Sequence, residues 1–249
     1  MDKNSIFGII IAFGAIFLGQ YLEGGSYATL ANLPAFVIVV GCTFGIILLE
    51  TPKSELKNTI RITKWIFTAP VFEFNKSIEK IVRFANDARM RGILSLEEEL
   101  DSEHDLFLKK GLKLVIDGKD DMYISHTMEI ELANLEEKDL SAAHVYESMG
   151  GYAPTIGIVG ALIGLIHVLG NITAPELLAK GVAIAFIATM YGVVLANLLF
   201  IPISNKLKKI IAKRASYHEM LINGLCLIST NENPSIIQNH LEGYIQDED

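Results

Sequence analysis

Thr189, Tyr191 and Asn197 lie in one apolar stretch of this chain, with Pro202 near its end and Pro154 at the start of another. These residues can present hydroxyl, amide or carbonyl oxygens inside a bilayer, and none carries a charge at neutral pH. Proline lacks an N–H, so carbonyls near Pro154 and Pro202 lose a helical partner or the helix bends. The hydroxyl of Thr189 either bonds back to its own helix, the usual fate of a lone membrane threonine, or faces a hydrated path. His167, near the outer end of its stretch, reads as an interfacial group rather than a catalytic one. What the set lacks is an acid or a base. The four apolar stretches, at 6–22, 33–49, 153–169 and 182–203, contain no Asp, Glu, Lys or Arg. Each can cross a hydrocarbon layer about 30 Å thick at about 1.5 Å per residue. An ion moving past them needs a carboxylate from another chain, because carriers and pumps ordinarily hold an ionisable group at that depth.

Small residues set how closely the helices that carry these groups can approach. Gly157, Gly160 and Gly164, with Ala161 among them, mark the third stretch, and Ala185, Ala188, Gly192 and Ala196 mark the fourth. In lipid, packing rather than water release drives helix association, and small residues at such spacing allow close approach. The pattern fits a helix pair within one chain, and it fits equally a face packed on another protein's helix along an ion path.

Charge places the remaining segments. The chain has 249 residues, is 51% hydrophobic and carries a net charge of −8, which disfavours a nucleic-acid partner. Lys53, Lys57, Arg61 and Lys64 follow the second stretch, and Lys206, Lys208, Lys209, Lys213 and Arg214 follow the fourth. The positive-inside rule puts the long segment, the tail and both termini in the cytoplasm, with the short connections 23–32 and 170–181 outside. The expected fold is all-α: a polytopic membrane protein with four transmembrane helices and a helical cytoplasmic domain. Its parts are a first helix pair (1–49), a cytoplasmic domain (50–150), a second helix pair (151–204) and a cytoplasmic tail (205–249). Within the cytoplasmic domain, 74–91 reads as an amphipathic helix stopped by Gly92. Ser95-Leu-Glu-Glu98 reads as a capping box for the next helix, a stripe from Leu106 ends at Gly118, and a third helix covers 120–138. Arg89, Arg91, Glu97 and Glu98 read, by themselves, as a solvated surface, where an exposed ion pair contributes about 0–1 kcal/mol. Scattered histidines, two distant cysteines (Cys42 and Cys226) and the lack of a Gly-x-Ser-x-Gly elbow argue against an enzyme, a metal site, a cofactor or a disulfide.

The ordered set Leu22-Glu23-Gly24-Gly25-Ser26, Asp87 to Glu98, Gly151-Tyr-Ala-Pro154-Thr-Ile-Gly157, Ala188-Thr189-Met-Tyr191-Gly192, Phe200-Ile-Pro202 and Asn233-Pro234 resembles the MotA/PomA family along nearly its whole length. These proteins are the multi-span stator subunits of the bacterial flagellar motor, in the inner membrane. The resemblance implies a homo-oligomer, a ring of five around two copies of a MotB/PomB-type one-span partner whose Asp binds the ion. It implies that Pro154, Ala161, Thr189 and Pro202 line the ion path. It also implies that Arg89 and Glu97, with Arg91 and Glu98 as neighbours, push the rotor protein FliG. Sodium-driven relatives carry Thr where this chain has Ala161, so H⁺ is favoured as coupling ion, with Na⁺ as the alternative. Two other readings stay open: an ExbB/TolQ-type energy transducer, and a non-conducting membrane scaffold acting through its cytoplasmic helices.

Overall fold

The computed structural model describes residues 3–169 and 175–245. The connection at 170–174 and the side chain of His167 lie outside the described residues. No strand occurs among the described residues. The chain forms two compact units, one from Met1–Ala69 with Lys138–Lys209, the other from Pro70–Glu137 with Ile210–Asp249. Stretches 50–69 and 138–150, read from sequence as part of the cytoplasmic domain, therefore pack with the apolar helices.

The first unit opens with α1 (Lys3–Leu22), a short α2 (Tyr27–Leu30) and α3 (Leu33–Glu50). Ser26 caps α2, accepting from the Ala28 N–H at 3.3 Å, and Asn32 caps α3, accepting from the Ala35 N–H at 3.0 Å. Such side-chain caps satisfy N–H groups that have no partner within the helix. Helix α4 (Lys53–Thr63) starts where Thr51 and Pro52 end α3. It buries Asn58, Thr59 and Ile62 against the part of the chain beyond Lys138. The Asn58 amide donates to the Lys138 carbonyl at 2.8 Å, and the Arg61 guanidinium pairs with the buried Asp139 at 2.7 Å.

In the second unit α5 (Phe74–Arg91) ends at Gly92, whose φ of +85° suits only a residue without Cβ. A 3₁₀ turn (Ile93–Leu96) leads to α6 (Glu97–Ser102) and α7 (Leu106–Ile116). The expected capping box does not form. The Ser95 hydroxyl donates to the carbonyls of Gly92 and Asp87 instead, because the 3₁₀ turn delays the helix until Glu97. Asp105 caps α7, accepting from Phe107 and Leu108, and Gly118 (φ +68°) closes it as its sequence position suggests. The core gathers Ile81, Phe84, Leu108, Leu112, Met128 and Leu225. His218 is buried in it, stacked on Phe107 at 4.2 Å with Nδ1 unpaired, and burial pulls its pKa down to about 4.

Helix α8 (Asp121–Leu169) runs unbroken for 49 residues where the sequence suggested one helix over 120–138 and a separate span. A change from polar to apolar side chains alters the surroundings of a helix, not its backbone, and Pro154 inside α8 costs one N–H without ending the ladder. Helix α9 (Pro175–Leu195) passes through a π turn (Ala196–Phe200) into α10 (Ile201–Ser229), and α11 (Pro234–Glu242) follows, capped by Asn233. Among the described residues, three segments are long and apolar enough to cross a membrane, within Tyr27–Glu50, Asp121–Ile166 and Gly181–Ser229, and Ile6–Leu22 is a shorter apolar helix.

Candidate functional site

Helices α8 and α9 meet backbone to backbone. A Cβ added to Gly157 would lie 2.9 Å from the Ala188 carbonyl oxygen and 3.2 Å from Thr189 Cα. One added to Gly192 would lie 2.3 Å from the Ala153 oxygen and 3.0 Å from Pro154 Cα. Gly160 faces Ala188 Cβ at 3.0 Å, and Gly164 faces the Ala185 nitrogen and the Gly181 oxygen, both at 3.4 Å. The glycines thus serve a seam within one chain, the plainer of the two readings their spacing allowed. The opposite surface carries Ile158, Leu162, Leu165, Phe186 and Val193, all exposed. A surface this apolar needs lipid or another helix against it.

The seam brings Pro154 and Thr189 onto neighbouring rungs. Pro154 is half-buried, and the Thr155 hydroxyl beside it donates to the Tyr152 carbonyl at 2.7 Å. The Thr189 hydroxyl donates to the Ala185 carbonyl at 3.3 Å, so it is held by its own helix. Ala161 is half-buried, one residue past Gly160. Pro202 is exposed and stands apart, just beyond the π turn. The Ile201 N–H there donates to the Ala196 carbonyl, five residues back, and the widened turn adjoins the point where Pro202 offers no N–H. Pro202 signalled a disturbed ladder in the sequence, but nothing there distinguished a π turn from a kink. Two further contacts escaped sequence reasoning. The Tyr191 hydroxyl donates to the Leu30 carbonyl and accepts from the Asn32 N–H at 3.0 Å, tying α9 to the start of α3. Asn197 spends an amide N–H on the Val193 carbonyl at 2.9 Å.

The four charged candidates lie at the end of α5 and the start of α6, and the structure divides them. Arg91 pairs with Asp87 at 3.3 Å and with Glu98 at 3.6 Å, closing the turn around Gly92. Arg89 and Glu97 are exposed, and neither side chain has a hydrogen-bond or ion-pair partner among the described residues. Behind them Arg83 pairs with Glu99 at 3.1 Å and Lys80 with the buried Glu103 at 2.9 Å. Burial pushes the Glu103 carboxyl up. The Lys80 ammonium and the N–H groups of Asp105 and His104 outweigh it and hold the carboxyl below its ordinary range. The tip is therefore braced, and its two free charges are presented rather than used. Among the described residues no group of three or more His, Cys, Asp and Glu side chains could hold a metal ion.

An all-helical chain with membrane-length helices and a close seam free of Asp, Glu, Lys and Arg belongs to a recognisable class. It matches the MotA/TolQ/ExbB proton channel family over residues 99–220 and the motility protein A N-terminal family over residues 6–86. Motility protein A of Bacillus subtilis is 32% identical to it, over 100% of this chain and 93% of the relative. Chemotaxis protein PomA of Vibrio alginolyticus is 28% identical, over 99% and 96%. Among solved structures, that of C. jejuni MotAB superposes with a TM-score of 0.94 at 30% identity, over 100% of this chain and 98% of that one. This chain is a member of the motility protein A family.

Proposed function

We propose that this chain is the multi-span stator subunit of a bacterial flagellar motor, which with a MotB-type one-span partner converts an ion-motive force into torque on the rotor. One observation carries the reading: the glycine-packed seam of α8 and α9 holds no charged group, in a chain similar over its full length to the MotA chain of a MotAB complex. The seam's exposed apolar side then takes the partner's helix, and the partner's carboxylate carries the ion. Several copies form a ring, five about two partner chains, in the inner membrane. Arg89 and Glu97 engage FliG. The match to the motility protein A N-terminal family favours this reading over a TolQ- or ExbB-type transducer. Reconstituted alone, the chain should pass no ions. Co-reconstituted with the partner it should conduct, and Asp→Asn in the partner's helix should stop conduction. Selective flux through this chain alone would defeat the reading.

All four apolar helices span the bilayer in this proposal, α1 included, with both termini inside. In a background lacking Cys42 and Cys226, a membrane-impermeant maleimide should label Ser26→Cys in intact cells. It should miss Lys110→Cys and Glu242→Cys, and labelling of either would overturn the topology.

The coupling ion is H⁺. A partly dehydrated Na⁺ needs several oxygen ligands, and the side chain of Ala161 supplies none. Rotation should persist when Na⁺ is replaced by K⁺ at constant proton-motive force. Rotation that halts and returns saturably with Na⁺ would reverse the assignment.

A further inference from the structure

Helix α4 carries a second surface that ion conduction and rotor contact do not use. Its inner side is spent on the first unit, through Asn58, Thr59 and Ile62. On the other side Lys53, Lys57 and Ile60 are exposed, Ile60 at 70%, as is Lys64, which opens the 3₁₀ turn (Lys64–Ile66) continuing the helix. At 3.6 residues per turn these four fall within a stripe roughly 60° wide. None of the three ammonium groups has a partner among the described residues, whereas Arg61, outside the stripe, is committed to Asp139. An exposed isoleucine framed by free lysines is poorly suited to water and well suited to a boundary between apolar and anionic matter.

Both ends of α4 are fastened close to where apolar helices end. At its start only Thr51 and Pro52 separate it from α3, whose last residue, Glu50, accepts from the Tyr152 hydroxyl at 2.8 Å, just before the apolar part of α8. Beyond its far end the Lys206 ammonium donates to the Ile66 carbonyl at 2.7 Å, four residues past Pro202. Two residues earlier on α10 the Ser204 hydroxyl donates to the Ala143 carbonyl at 3.0 Å. A helix pinned at both ends to that level lies along the leaflet instead of hanging away from it. Trp65, the single tryptophan of the chain, adjoins Lys64 and is half-buried, with Arg61 over its ring at 6.0 Å. Tryptophan favours this depth, where an apolar ring meets polar headgroups.

We infer that the Lys53–Lys57–Ile60–Lys64 stripe is a binding surface for anionic phospholipid headgroups of the cytoplasmic leaflet, with Ile60 inserted among the acyl chains. The inference rests on the topology proposed above and is independent of the rotor reading. Basic side chains next to an anionic membrane attract it strongly enough to change lipid occupancy roughly five-fold per lysine.

Trp65 supplies the readout. The full chain with its one-span partner is placed in nanodiscs containing brominated phosphatidylglycerol or brominated phosphatidylcholine, and quenching is taken as the difference from a Trp65→Phe complex. Phosphatidylglycerol should quench at a mole fraction at least ten-fold lower, and high salt should shrink that gap. The Lys53→Gln/Lys57→Gln/Lys64→Gln variant should lose the gap, and a Lys109→Gln/Lys113→Gln/Lys119→Gln control should keep it. Equal quenching by the two lipids, a gap indifferent to salt, or an unchanged gap in the stripe variant would overturn the inference. Quenching by neither lipid would also overturn it, since the stripe would then be covered by another copy of the chain. The salt series on the unaltered protein decides the question even if the triple variant fails to assemble.

Discussion

Gly192→Leu abolishes assembly and motility, and even Gly192→Ala weakens both: this is the largest effect expected of any single change in the seam. The first carbon of any side chain there would sit 2.3 Å from the Ala153 oxygen. The obstacle is backbone, not the end of a flexible side chain, so α8 and α9 must separate. Forcing atoms into a packed interior costs about 1–3 kcal/mol even where neighbours can yield. Separation in lipid has no compensating hydrophobic term, because the helices are held by packing itself. Gly14→Ala in α1 is the control. Nothing lies within 4 Å of its added carbon, and helix propensity favours alanine by about 1 kcal/mol. Size-exclusion chromatography of the complex in detergent, followed by swimming assays, should show the Gly192 variants dissociated and immotile and Gly14→Ala unaffected. Intact complexes from Gly192→Leu would mean that the close approach is not required.

Charge reversal at Arg89 or Glu97 should abolish or severely reduce motility while expression and assembly stay normal. The structure sharpens this expectation by what it denies the two residues: exposed and unpartnered, they have no fold contact to lose. Against a complementary rotor surface, a reversed charge sets like against like, which costs several kcal/mol. Lys80→Glu is the informative contrast. Its partner Glu103 is buried, so that change leaves a carboxylate unpaired and should destabilise the second unit by about 3 kcal/mol. Torque from tethered cells and thermal melts of the purified complex separate the outcomes. Compensating reversals on FliG should restore rotation to the Arg89 and Glu97 variants and not to Lys80→Glu. Failure of Arg89→Glu to assemble would make that residue structural.

Some of this architecture was plain in the residue string because it depends on the residue itself. Gly92 and Gly118 stop helices since only glycine adopts their backbone angles without strain. The glycines of the third and fourth apolar stretches announced a close approach, though spacing could not say that both partners were in one chain. Other features depend on what a residue meets after folding. Ser95 has the spacing of a capping box, yet its hydroxyl found the Asp87 and Gly92 carbonyls first. Asp87, Glu98, Arg89 and Glu97 look alike in sequence, and only geometry shows that Arg91 uses up the first two and leaves the others free. The continuity of α8 was hidden by a change in polarity that means much to the solvent and nothing to the hydrogen-bond ladder.

The π turn at Ala196–Phe200 also sets a phase. A turn that closes on the fifth residue instead of the fourth holds one residue more than its neighbours, so everything after it is set back by about 100° relative to a plain α-helix of the same residues. Ser204 reaches the Ala143 carbonyl, and Lys206 the Ile66 carbonyl, from that set-back position. Straightening the turn with its residues kept would rotate both side chains by about 100° and aim them elsewhere, unfastening α4 and α8 from α10, whereas removing one residue from the turn would restore a regular helix with both side chains still in phase. A one-residue deletion within this stretch should therefore be tolerated far better than a one-residue insertion, whatever the residue types.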